Sequence, residues 1–255
     1  MQNEIDEKIL LAKAEDTVTL CEKQYTTRFL GFLTPAEMAV VKKNLNKICG
    51  GADVRTEFYG GYSDAERCLF VALPEYAQDD EASELICVLE ISGRDTEALS
   101  HRDFLGSLLG LGLKREKIGD ILITSDKTIV FVLLDIADYI IANLEKIGRC
   151  GVKIRKLRQA EIEIPKRRYE EIRTTVAALR LDCVVAAALK TSRSVAAEAI
   201  KSGRVSVNWL ETDNISAQIK PEDVFSVRGA GRFRLSGTVN ETKKGRLGIC
   251  IEKAI

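Results

Sequence analysis

The stretch from Arg180 to Asn208, RLDCVVAAALKTSRSVAAEAIKSGRVSVN, constrains this chain more than any other. Leu181, Val184, Val185, Ala188 and Leu189 recur at helical spacing, so one face of a first helix is apolar. Ser192-Arg193-Ser194 interrupts it, and Ser194 is the expected cap of a second helix, its hydroxyl accepting a backbone N–H bond. In that helix Ala196, Ala199 and Ile200 mark the buried side. At ~100° per residue, Arg193, Lys201 and Arg204 fall within an arc of roughly 80° beside it. Gly203 supplies the stop, because glycine accepts the left-handed conformation that ends helices. Val205, Ser206 and Val207 then alternate as a half-buried strand does. The pattern predicts two short helices and a strand, with a packed face and a row of cations next to it.

A row of cations alone is usually a solvated face. Here the order of residues is more specific. Arg180-Leu181-Asp182, Ser192-Arg193-Ser194, Ala196, Ile200, Gly203, Val205, Val207 and Asn208 resemble the RNA-binding domain named after ribosomal small-subunit protein four, the S-four domain. The resemblance implies a compact surface that holds structured RNA by shape and backbone charge. It makes Arg180, Ser192, Arg193, Ser194, Lys201, Arg204 and Asn208 candidate RNA contacts. The chain departs from the pattern at Trp209, where many members carry Gly.

The 255 residues leave room for two or three small domains. A composition of 45% hydrophobic and 30% charged residues is globular. No run of eighteen apolar residues occurs, so no membrane span is expected. The opening MQNEIDEKILLAKAED is acidic and does not read as a secretory signal. The seven cysteines include no C-x-x-C pair and have only His101 for company, so neither a zinc framework nor any other metal or cofactor is expected. They read as buried thiols of a reducing cytoplasm. The net charge of zero hides a split. Residues 1–150 carry 17 Lys+Arg against 26 Asp+Glu, or −9, and residues 151–255 carry 21 against 12, or +9. A basic C-terminal third fits a local electrostatic footprint, although asymmetry alone also serves solubility.

In chain order, 1–32 reads as helical. Thr34-Pro35-Ala36-Glu37 starts a second helix expected to run to about Ile48 and stop at Gly50-Gly51. Val54–Tyr59 and Arg67–Leu73 read as strands joined by a turn at Gly60-Gly61-Tyr62. Beyond an acidic stretch, strands at Leu85–Ile91, Asp120–Thr124, Thr128–Leu134 and Gly151–Leu157 alternate with helices at Ser100–Leu111 and Asp135–Ile147. This βαββαβ order is the ferredoxin-like split arrangement. Several RNA modules use it with aromatics on the sheet, but Phe131 is the only strand aromatic here. His101, Arg102, Lys114, Arg115 and Lys117 form a candidate second phosphate patch near the first of these helices. A capping role for Ser100 or Asp103 ranks above that, and a His101–Asp103 acid/base pair ranks below it.

HRDFLGSLLGLGLKREKIGDILI, the basic linker, the S-four pattern and SVRGAGRFRL together are similar to the YlmH-like bacterial proteins over essentially the whole chain. That resemblance implies a role in ribosome-associated quality control, where a member holds a peptidyl-tRNA on a separated large subunit while alanine tails are added. The implied partners are 23S rRNA, tRNA or both. The implied setting is cytoplasmic and ribosome-associated, and the chain is expected to act as a monomer.

Gly151 to Arg180 carries nine Lys+Arg and four Glu, with Lys166-Arg167-Arg168 opening an expected linker helix over 161–178. Such density suits phosphate contacts, which set affinity without reading bases. After Asn208, Val224–Val227, Arg234–Thr238 and Leu247–Glu252 read as strands. Arg228, Arg232, Arg234, Lys243, Lys244 and Arg246 are further candidate contacts. Phe233 and Trp209 are candidates either for base stacking or for packing.

The expected class is α+β in three small domains: an N-terminal α/β domain at 1–80, the ferredoxin-like domain at 84–160 and, after the linker, the S-four domain at 179–255. No catalytic set is placed. Alternatives are an RNA-modifying enzyme of pseudouridine synthase or methyltransferase type, or a cell-division adaptor. GSLLGLG at Gly106–Gly112 follows a helix rather than a strand and so fails the context of a cofactor loop.

Overall fold

Helix α1 (Gln2–Gln24) leads into strand β1 (Arg28–Leu33), helices α2 (Pro35–Lys43) and α3 (Leu45–Cys49), and strands β2 (Val54–Tyr59) and β3 (Cys68–Pro74). The computed structural model describes residues 2–94, 96–124, 126–158, 161–165, 169–241 and 245–254. The expected helix over 1–32 stops early. Tyr25 turns left-handed at φ 50, and the apolar run that follows hydrogen-bonds to β3 as a strand. Thr34 caps α2 in a full capping box, with its N–H donating to Glu37 at 2.7 Å. The helix breaks at Asn44, whose amide donates to the Val40 carbonyl, and resumes as α3 up to Gly50. The sheet runs β1-β3-β2, and Ala14, Val18 and Cys21 of α1 pack on its Phe70 side.

Next come α4 (Glu81–Glu84), β4 (Ile86–Gly93), α5 (His101–Gly110), β5 (Ile118–Ile123), β6 (Thr128–Leu133), α6 (Leu134–Asn143), β7 (Lys146–Ile147) and β8 (Cys150–Lys156). The sheet order β5-β6-β4-β8-β7, antiparallel throughout, is the ferredoxin-like order with a short added edge. Leu69, Val71 and Leu73 of β3 share one core with Val88 and Phe131 of this sheet. The chain accordingly divides into two compact units, 1–165 and 166–255, and the boundary expected near residue 80 lies inside the first.

The second unit comprises β9 (Tyr169–Val176), α7 (Leu181–Ala188), α8 (Arg193–Lys201), β10 (Val205–Val207), β11 (Leu210–Glu211), β12 (Val224–Val227), β13 (Gly231–Glu241) and β14 (Leu247–Ala254). The linker expected to be helical is instead strand β9. Ile172, Thr174, Thr175 and Val176 are β-branched, and such side chains lose more rotamer freedom in a helix than in a strand. β9 pairs along its whole length with β14, from Tyr169 opposite Ala254 to Val176 opposite Leu247. It thereby becomes one edge of a sheet ordered β11-β10-β12-β13-β14-β9. Val184, Val185, Ala196 and Ile200 of the helix pair join Phe225, Phe233 and Leu235 of that sheet in one core. Gly203 ends α8 at φ 66, as expected.

Candidate nucleic-acid interface

The helix pair is fixed by one acid. Asp182 in the first turn of α7 is only 3% exposed. It accepts from Arg180 at 3.1 and 3.3 Å and from Arg193 at 2.5 and 3.2 Å. Burial alone raises the pKa of such a group. Hydrogen bonds from Arg193 and then Arg180, with their charges, outweigh burial and hold Asp182 below the ordinary carboxylate range. Two guanidiniums on one carboxylate leave one positive charge at the surface, so Arg180 and Arg193 are anchored cations rather than free ones. The cap of α8 is Ser192, not Ser194: its hydroxyl accepts from the Val195 N–H at 3.3 Å. Ser192 holds the extended backbone that an N-cap needs, whereas Ser194 already lies inside the helix, its hydroxyl 2.8 Å from that of Ser192. Lys201 is exposed at the end of α8, and the Arg204 Nε donates to Ser202 Oγ at 3.0 Å.

Beyond α8 the chain makes a two-residue hairpin between β10 and β11, with Val207 opposite Leu210. Asn208 and Trp209 both have positive φ, 47° and 65°, the pattern of a type I′ turn. Asn208 uses its amide in the fold, donating to Asp223 at 2.9 Å and accepting from the Val224 N–H at 3.0 Å. Trp209 occupies a conformation that costs a non-glycine residue roughly 1–2 kcal/mol and remains 36% exposed. It borders an open groove of about 460 Å³ whose walls include Arg204, Arg228 and Arg232 and whose lining includes Ser206 and Ser226. The two serine hydroxyls lie 2.6 Å apart across β10 and β12. Gly229 and Gly231, at φ 87 and 110, carry the turn that presents Arg228 and Arg232. Arg228 keeps 75% of its side chain exposed, 3.9 Å from Glu211.

Two candidate contacts, Arg234 and Arg246, have partners within the fold, and Phe233 takes the packing alternative. Arg234 is held by Glu252 at 2.5 Å and Glu222 at 3.4 Å. Arg246 donates to the Thr175 carbonyl at 2.8 Å and so ties the start of β14 to β9. Phe233 is buried, stacked on Phe225 at 5.3 Å, and offers no face to a base. In each case the neighbouring strand supplies a partner that the linear sequence does not reveal. Lys166, Arg167, Arg168, Lys243 and Lys244 lie outside the described residues.

The second patch, on the first unit, comes apart. Arg115 turns inward and donates to the carbonyls of Ile118 and Gly119. Burial, then the nearby charge of Arg67, pulls its pKa down to about 10. Lys117 pairs with Asp135 at 2.6 Å, and Lys114 lies 3.9 Å from Glu116. His101 and Arg102 are exposed at the start of α5. Asp103 accepts from the Ser100 hydroxyl at 2.7 Å and its N–H at 2.8 Å, the expected capping role, and these bonds hold its carboxyl below the usual range. Phe131, the one aromatic on the strands of the five-stranded sheet among the described residues, is fully buried with the Tyr62 ring against it at 5.1 Å. The loop 60–67 is latched there by Asp120, which accepts from the Tyr62 hydroxyl and the Glu66 N–H, both at 2.7 Å. Sequence reasoning missed this latch. Its one signal was a lone Asp within the otherwise apolar strand IGDILI.

Comparison with known proteins sets this geometry in context. Residues 179–225 match the S4 domain, the S-four type. Residues 85–161 match the domain described as "Putative RNA-binding domain in YlmH". The chain is 32% identical over 249 residues to "Ribosome-associated protein quality control protein P2" of Bacillus subtilis (strain 168), covering 97% of this chain and 95% of that protein. It belongs to the YlmH family. A solved relative, "Cell division protein ylmH from Streptococcus pneumoniae", aligns with a TM-score of 0.52 at 24% identity, over 63% of this chain and 96% of that one. At that identity the likeness speaks for the YlmH fold alone. The two matches place RNA-binding-type domains in both units, one at 85–161 and one at 179–225. No helix among the described residues is long and apolar enough to cross a membrane.

Proposed function

We propose that this protein grips structured RNA of the large ribosomal subunit, 23S rRNA, tRNA or their junction, and acts in ribosome-associated quality control. It holds a peptidyl-tRNA in place on a stalled large subunit while an alanine tail is added. It does so as a cytoplasmic monomer and without catalysing a reaction. The observation that carries this reading is the groove of the second unit, where Arg204, Arg228 and Arg232 face one opening beside exposed Lys201. Guanidiniums so placed match phosphate oxygens with forked donors. The name of the Bacillus subtilis relative supports the ribosomal setting.

Arg204→Glu combined with Arg228→Glu tests the reading. Co-sedimentation with large subunits is expected to fall more than tenfold while the circular dichroism spectrum stays unchanged. Normal co-sedimentation of the double variant would overturn it. Arg193 is the wrong target for this purpose, because removing it leaves buried Asp182 with one partner fewer and confuses binding with folding.

A further inference from the structure

Trp209 is the single tryptophan of the chain, and its place is costly. The second position of a type I′ turn favours Gly, and Trp209 sits there at φ 65. Phe225 and Phe233 fill the core, while Trp209 lies outside it and stays 36% exposed. A bulky residue kept in a strained conformation at the mouth of a groove points to a task for its ring.

We infer that Trp209 and the groove beneath it receive one unpaired nucleotide, the indole stacking on the base while Arg204, Arg228 and Arg232 take the adjoining phosphates. The inference rests on the RNA-binding reading above and narrows the RNA to one with an extruded or looped-out base. Size fits, because about 460 Å³ lies in the range of small-ligand sites. Chemistry fits as well. The paired hydroxyls of Ser206 and Ser226 offer donor and acceptor atoms to a base edge, and Gly229 and Gly231 let a backbone approach closely. Glu211 is the one carboxylate among the described lining residues, and it stands against Arg228. In a continuous A-form helix the base faces are stacked on one another, so only an unstacked base can reach an indole. Stacking on an aromatic ring tolerates any base, so the selection is for an unpaired position rather than for a sequence.

The lone tryptophan makes the test direct. The full chain is titrated with a synthetic RNA hairpin bearing one bulged adenosine and with the same hairpin fully paired. Anisotropy of labelled RNA follows binding, and tryptophan emission follows stacking. The bulged hairpin is expected to quench the emission and the paired one to leave it unchanged. Trp209→Gly, which suits the backbone, is expected to bring the affinities for the two hairpins together. It should lose about tenfold in affinity for the bulged hairpin, the order of one base–aromatic stack. Trp209→Phe should restore part of that loss. Equal quenching by both hairpins, or unchanged affinity of Trp209→Gly for the bulged one, would overturn the inference while leaving the RNA-binding reading intact. Failure of the native chain to bind either hairpin would overturn both.

Discussion

Asp120 and Asp182 are both buried, one in each unit, and they are satisfied in opposite ways. Asp120 takes neutral donors, the Tyr62 hydroxyl and the Glu66 and Arg67 N–H groups. The arginines near it, Arg67 and Arg115, turn inward to the carbonyls of Phe32, Ile118 and Gly119. Asp182 takes two guanidiniums whose outer sides remain at the surface, 37% and 57% exposed. In the first unit Arg67 and Arg115 help close a sheet face, and in the second an acid holds Arg180 and Arg193 outward. The number of cations in a segment says little about phosphate binding. How far each cation is turned inward weighs as well, because a guanidinium buried against backbone carbonyls cannot reach a phosphate.

This contrast can be broken or sharpened. The largest effect is expected in the first unit. A Cβ on Gly61, where φ is 93, would lie 2.5 Å from the Phe131 ring, so Gly61→Ala should destabilise that unit by about 3 kcal/mol. Thermal unfolding should show its transition shifted and that of the second unit unmoved. A common shift would show that the latch and the helix pair are not energetically separate.

Asp182→Ala comes next, at about 2 kcal/mol in the second unit, less than for a fully buried pair because water reaches both arginines. It also has a pH signature. The folded pKa of Asp182 lies below the ordinary value of about 3.9, so its stabilisation is present above that value and is lost as pH falls through the lowered pKa. Urea melts of native and variant chains should therefore converge in acid. A gap that persists once the carboxyl of the folded chain is protonated would assign the loss to packing.

Arg204→Ala and Arg228→Ala, singly, should each lower RNA affinity severalfold and reduce the slope of log K against log salt by about 1, measured by filter binding over a salt series. Smallest of all, Lys117→Ala should change affinity less than about twofold, since Lys117 is already paired with Asp135. A larger effect there would return the first unit to the interface.

The elements were mostly legible because their signals are local. The capping box at Thr34, the βαββαβ order and the stop at Gly203 each rest on residues within a few positions of one another. β9 was misread because Tyr169, Ile172 and Val176 fit a helical spacing equally well, and the partner that decides for a strand, β14, lies about eighty residues away. The site divided along the same line. Arg204, Arg228 and Arg232 were named from the sequence, and the groove brings them together. Arg115, Arg234 and Arg246 look identical in the sequence, and only the structure shows the carbonyls and carboxylates that engage them.

The pairing of β9 with β14 also bears on how the protein is made. The first strand of the second unit must wait for the last, across the helix pair and the groove strands between them. During synthesis the helix pair emerges before the closing strand exists, and contacts this distant in sequence form slowly. A nascent chain stalled anywhere before residues 247–254 would carry β9 and β13 with the edges that β14 covers still unpaired, although the groove residues would already be made.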